Sequence, residues 1–250
     1  MKGGALVTAT GLVLVGTLAG CADAQVAPPP PARSTSAPAT PLTPQPSGGA
    51  MSSTPEQPTT DRAQRALAAA GLAVPSDLPV ARTRRERHDT SAVSVVRFQR
   101  AGYRLGGPHT TAVVTDDGTL LGFTNLTGSA PGDLPNKNDA ERVAFSFLRR
   151  VDGAHAEALT VQWVDRHDET ITDAAGTTQT IAGIKVKTRH ADGRYTWVLV
   201  GPDARIVTYE RGVTWDRDEG RRGTDMWLHD AWVAAHDGSG APPPPPYART

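Results

Sequence analysis

Two stretches of this 250-residue chain carry the same pattern 86 positions apart. They are "TTAVVTDDGTLLGFTN" (110–125) and "TWVLVGPDARIVTYER" (196–211). Superposing them sets Asp117 on Asp203, Leu120 on Ile206, Leu121 on Val207 and Phe123 on Tyr209. Each reads as strand, tight turn, strand. Asp116-Asp117-Gly118 and Gly201-Pro202-Asp203 supply the turns, because Gly accepts positive φ and Pro presets φ near −65°. β-branched and aromatic residues flank both turns, as strands prefer. Any fold must therefore house two equivalent hairpins.

A helix is expected ahead of each hairpin. Residues 138–150 place Ala140, Val143, Ala144, Phe147 and Leu148 at the i, i+3, i+4, i+7, i+8 spacing of one apolar face. Asn138 is the expected cap, with Glu141 three residues on, and Arg149 and Arg150 suit the negative end of the dipole. In residues 61–70 the stripe is Ala63, Ala66, Leu67 and Ala70, with Asp61 as cap and Gly71 as stop. Further strands are read at 92–100, 159–166 and 180–188. The expected class is α+β: duplicated units of a helix plus an antiparallel β-meander, at 61–135 and 136–238, the second closed by a C-terminal helix. One apolar stripe per helix implies packing across one sheet face.

The residues "VVTDDGTLLGFTN", followed by "NKNDAERVAFSFLRR", resemble the PepSY-type and YcdB/YcdC-type repeats of bacterial envelope proteins. There a "dG.l..f.n" hairpin leads to a helix with an "A...A..FL" stripe. The match is good over residues 92–150 and looser at the second hairpin, where Ala204 stands in place of the turn glycine. The resemblance implies a non-catalytic module associated with peptidase propeptides and envelope regulation.

The N-terminus has its own logic. Lys2 and then an uncharged, mostly apolar or small run over 5–19 follow the pattern of a secretory signal, and the run is short for a membrane span. Leu18-Ala19-Gly20-Cys21 resembles the lipobox of bacterial lipoproteins, which implies cleavage after residue 20 and a diacylglycerol thioether on Cys21. Two acyl chains at one residue give stable anchoring where one gives only marginal binding. Cys21 is the sole cysteine, so the remaining chain has no disulfide and no thiol nucleophile. Residues 21–60 are read as a lipidated, Pro-rich disordered tether and 239–250 as a disordered Pro-rich tail, since neither has apolar residues enough to offset chain entropy. The expected location is the extracytoplasmic face of a cell membrane, lipid-anchored, in a bacterial envelope.

The chemistry is sparse. Net charge is zero, so no broad basic field draws in nucleic acid. Arg82, Arg84, Arg85 and Arg87 read as solvated surface, with a phosphate or lipid-headgroup contact as the alternative. The sequence has no serine-hydrolase elbow, HExxH, phosphate loop or dinucleotide fingerprint. No cofactor and no metal are expected. Four histidines precede an aspartate, but neighbouring side chains diverge. His229, His236 and Asp225 have helical spacing for at most a weak metal contact. "TDMWLHDAWVAAHDG" is the most pointed segment, and Trp227, His229, Asp230 and Trp232 are the candidate binding residues. Trp227 and Trp232, five apart, would diverge by about 140° on a helix, one inward and one outward. The segment reads as a closing helix, with an aromatic patch for a peptide or glycan as the alternative. Together these readings predict a binding or regulatory module rather than an enzyme, serving an envelope protein, peptidase or peptide. An envelope hydrolase built on His229 and Asp230, or a structural spacer, are the competing expectations.

Overall fold

The computed structural model describes residues 56–250. Cys21, the signal segment and the tether lie outside the described residues. No helix among the described residues is long and apolar enough to cross a membrane.

Helix α1 (Glu56–Ala69) leads into strands β1 (Val80–His88), β2 (Ser91–Phe98), β3 (His109–Thr115) and β4 (Leu120–Leu126). Helices α2 (Lys137–Val151) and α3 (Gly153–Glu157) precede β5 (Leu159–Thr172), β6 (Thr178–His190), β7 (Tyr195–Val200) and β8 (Ile206–Val213). A short ribbon, β9 (Trp215–Asp216) with β10 (Arg221–Arg222), and helix α4 (Asp230–His236) close the chain. The class is α+β, with one antiparallel sheet of eight strands in the order β1-β2-β3-β4-β8-β7-β6-β5. Each run of four is a meander, and the two runs are joined into one sheet where β4 pairs with β8, at Gly122↔Glu210, Phe123↔Tyr209 and Thr124↔Thr208.

Successive strand residues face opposite sides of the sheet, and the burial follows that alternation. On the inner face Val96, Phe98, Ala112, Val114, Phe123, Val186, Val198 and Tyr209 meet Ala63 and Leu67 of α1 and Ala140, Ala144, Phe147 and Leu148 of α2. Phe147 stands edge-on to Tyr209 at 5.2 Å. On the outer face of the first half, Val93, Val95 and Val113 are covered by Met226, Trp227, Leu228, Trp232, Val233 and Ala248. Gly122 makes room for this cover: a Cβ there would lie 3.1 Å from a Leu228 methyl.

Several expectations are corrected. Helix α1 begins at Glu56, inside the expected tether; Pro58 falls in its first turn, where a missing N–H costs nothing. The α2 cap is Asn136, not Asn138: its side chain accepts from Asp139 N and donates to the Asp139 carboxylate, both at 2.9 Å. The basic run is strand β1, and three of its arginines are paired within the chain, Arg82 and Arg84 with Asp237 and Arg85 with Asp116, while Arg87 is exposed and its side chain donates to the Thr90 carbonyl. The tail at 239–250, expected to be disordered, packs: Ala248 is buried, Arg222 N donates to Pro246 O at 2.9 Å, and Trp232 Nε1 donates to Arg249 O at 3.1 Å. Few apolar residues suffice there because backbone hydrogen bonds do part of the fastening.

Candidate binding cleft

On the outer face of the second half the apolar cover is partial: Ile171 and Ile181 of the β5–β6 hairpin pack with Leu126, Leu199 and Val207, and the rest of the face is left without it. Cross-strand register builds that remainder. Trp163 pairs with Lys187, Lys187 with Trp197, Trp197 with Glu210, and Glu210 with Gly122. One rung thus carries two indoles, an ammonium and a carboxylate side by side, at cross-strand spacings of about 4.5–5.5 Å. The β5–β6 hairpin outruns its neighbour: it pairs from Leu159↔His190 to Thr172↔Thr178, whereas β6 pairs with β7 only over Ile184–Arg189. Its tip reaches the first half, with Thr172 N donating to Gly106 O at 2.7 Å and Arg104 Nη2 to Thr172 O at 2.7 Å. Between this hairpin and the C-terminal segment lies a cleft of about 480 Å³, lined among others by Trp163, Glu169, Lys185, Lys187, Trp197, Trp215, His229 and Tyr247. That volume suits a small ligand.

Glu210 is the anchor of the floor. It is buried and accepts from Trp197 Nε1 at 3.1 Å, His229 Nε2 at 2.9 Å and Arg222 Nη1 at 2.5 Å. A carboxylate only accepts, so His229 carries its proton on Nε2. Burial alone would raise the Glu210 carboxyl; the Arg222 and His229 charges outweigh it and hold it well below the usual carboxylate range. Three donors on a buried carboxylate make this a structural cluster, with little capacity left for a ligand.

The lysines differ. Lys185 sits 4.4 Å from the centre of the Trp197 ring, and burial lowers its pKa although Glu210 and Glu169 oppose the shift. Lys187 lies 4.5 Å from the Tyr195 ring, 5.5 Å from Trp215 and 5.8 Å from Trp163. Among the described residues it has no carboxylate within ion-pair distance. Trp163 and Trp215 are 43% and 38% exposed, so flat apolar surface flanks this cation in contact with water. Glu169, also in the lining, is kept ionised: burial would raise it, but the His167 hydrogen bond and the His229 and His167 charges lower it.

The four candidate binding residues do not come together. Trp227 and Trp232 are both buried, edge-to-face at 4.8 Å, in the cover of the first half. The expected divergence fails because Trp227 precedes α4 and is free of helical spacing. His229 enters the cleft. Asp230 points away, bound by both terminal nitrogens of Arg97 at 2.7 and 2.9 Å and by Gly106 N at 2.5 Å. His229 and Asp230 therefore do not share a site. His236 stacks on Trp232, Asp225 accepts from Asp89 N, and no group of His, Asp and Glu suited to a metal occurs among the described residues. Sequence reading missed Trp163, Lys185, Lys187, Trp197, Glu210, Trp215 and Arg222. The available signal was the alternation of Ile184-Lys185-Val186-Lys187, which puts both lysines on the face opposite the core.

A second hollow of about 440 Å³ is lined by His88, His155, His190, Arg194 and Arg211. Its charges are turned inward, Arg211 to Asp152 at 2.9 Å and Arg194 to Asp89 at 2.6 Å, so it offers a ligand less than the cleft does.

No protein-family model, curated protein or solved structure matches this chain.

Proposed function

We propose that this chain is a membrane-anchored, extracytoplasmic binding module without catalysis, held through a lipidated Cys21, and that the cleft on the second half of its sheet is the ligand site. The observation that carries this is the unpaired Lys187 among three aromatic rings, two of them exposed at the cleft mouth. The fixed Glu210 cluster beneath keeps those groups in place, and a preformed site loses little on binding. An envelope protein, a peptidase or a peptide is the partner class that the PepSY resemblance suggests. What supports that resemblance is the order helix, then four-stranded meander, in each half.

We also infer that the two halves arose by duplication. Phe123 and Tyr209, equivalent in the repeat, lie directly opposite each other, and Thr124↔Thr208 and Gly122↔Glu210 are arranged symmetrically about them. A local two-fold axis through that pair would produce this register.

A photo-crosslinking residue placed at Trp215 of the intact protein in living cells tests the binding reading. Adducts are expected there and absent from the same probe at Arg142, which is exposed on α2 across the sheet. Equal labelling at both positions, or none, would remove the cleft from consideration. Cys21→Ala tests the anchor; the variant is expected in the soluble fraction, and its retention on membranes would contradict lipidation at that residue.

A further inference from the structure

We propose that the cleft binds an acidic saccharide: one carboxylate on Lys187, with the adjoining sugar ring laid on the exposed indoles of Trp163 and Trp215. This rests on the reading of the cleft as the ligand site. Three features of the lining point to that chemistry.

The first is the single uncompensated cation. Arg222 is paired with Glu210, and Lys185 lies in the field of Glu210 and Glu169. Lys187 has ring faces around it and no carboxylate within ion-pair distance, and the Lys185 ammonium nearby adds to the positive charge. A cation against rings is attracted by their quadrupole and still keeps its net charge for an anion. The cleft therefore asks for one negative group at this point, not several.

The second is the shape of the apolar surface. Indole faces bury flat, weakly polarised C–H surface well, and those of Trp163 and Trp215 are the two large exposed aromatic surfaces of the described residues. A pyranose ring presents such a surface on one side and hydroxyls around its edge.

The third is the polar part of the lining. Glu169, His167, Thr170 and Tyr247 contribute to it. Glu169 is ionised and accepts hydrogen bonds, which suits hydroxyl donors. A strongly acidic peptide would set its carboxylates against Glu169 and Asp168, whereas a saccharide with a single carboxylate meets them with hydroxyls.

The test is a tryptophan-fluorescence titration of the full chain with three probes: cellobiouronic acid, neutral cellobiose, and an N-acetylated acidic tetrapeptide. The acid is expected to bind at least tenfold more tightly than cellobiose. Lys187→Met should abolish that preference, and Lys187→Arg should retain it. Circular dichroism of both variants establishes that they fold. Equal affinity for the two sugars would overturn the carboxylate assignment and leave the cleft as a binding site. Saturation by the peptide alone would overturn the saccharide and likewise leave the cleft. No saturable change with any probe would overturn the ligand class, and the crosslinking at Trp215 then decides separately whether the cleft binds anything.

Discussion

Phe123 of β4 lies directly opposite Tyr209 of β8, at the one seam that joins the two halves of the sheet. Both side chains are fully buried against α2, and Phe147 packs edge-on to Tyr209. The core is continuous across the seam, so the halves should unfold together. Phe123→Ala is expected to cost about 3–5 kcal/mol, with a single transition when followed by both near-UV and far-UV circular dichroism. Two separated transitions would mean that each half is stable alone.

Arg222 and Glu210 form a buried pair whose members depend on each other. Glu210→Gln leaves a buried guanidinium without its counter-charge and should cost roughly 3–5 kcal/mol. Glu210→Leu combined with Arg222→Met should recover much of that loss. Urea midpoints of the single and double variants check this; additive losses would show that the pair is not coupled.

Stability should fall in mild acid because of His109. It is buried beside the Arg97–Asp230 pair, its Nδ1 bonds Gly107 O at 2.8 Å, and its Nε2 has no partner. Burial pushes its pKa down to about 4 from the ordinary 6.5, Asp230 opposing and Arg97 assisting. A lowered folded pKa gives stability that is full above 6.5 and drains away as pH falls toward 4. The loss between pH 7.5 and pH 5 should be about 2 kcal/mol. His155, half-buried and also lowered to about 4, adds with the same sign. His109→Gln should flatten the profile of urea midpoints against pH; an unchanged slope would exclude His109 as its source.

The β7–β8 turn stores strain. Asp203 and Ala204 both hold positive φ, 53° and 58°, a region that costs a residue with a Cβ roughly 1–2 kcal/mol. Ala204→Gly relieves it against a larger loss of chain entropy, and the net gain should be about 0.5–1 kcal/mol. A thermal midpoint raised by about 1–3 °C is expected, and a lowered one would contradict the strain. Gly118 at φ 92° fills the corresponding role in β3–β4, so Gly118→Ala should act in the opposite direction.

Local features were the legible ones. Both repeat hairpins and the α2 stripe were readable because turn chemistry and apolar period act within a few residues. Strand β1 was hidden because Arg82, Arg84 and Arg85 look like solvent-facing charge until Asp237 and Asp116 come to meet them from far along the chain. The cleft was hidden for the same reason. Trp163, Lys187, Trp197 and Glu210 become neighbours only through the register of four strands, which no short window contains. His229 was singled out, yet its partner is Glu210, not the adjacent Asp230. The packed tail owes its place to Pro246 and Arg249 carbonyls, which composition does not reveal.

The central claim is that ligand chemistry sits on one half of the outer face and structural packing on the other. The chain's five tryptophans report on both: Trp163, Trp197 and Trp215 line the cleft, while Trp227 and Trp232 lie in the cover of the first half. The most direct measurement is an NMR titration of the five indole N–H signals of the full chain with cellobiouronic acid. The signals of Trp163 and Trp215 should move most and saturate together, that of Trp197 less, and those of Trp227 and Trp232 should stay in place. Shifts led by Trp227 and Trp232, or no shift at all, would contradict the account.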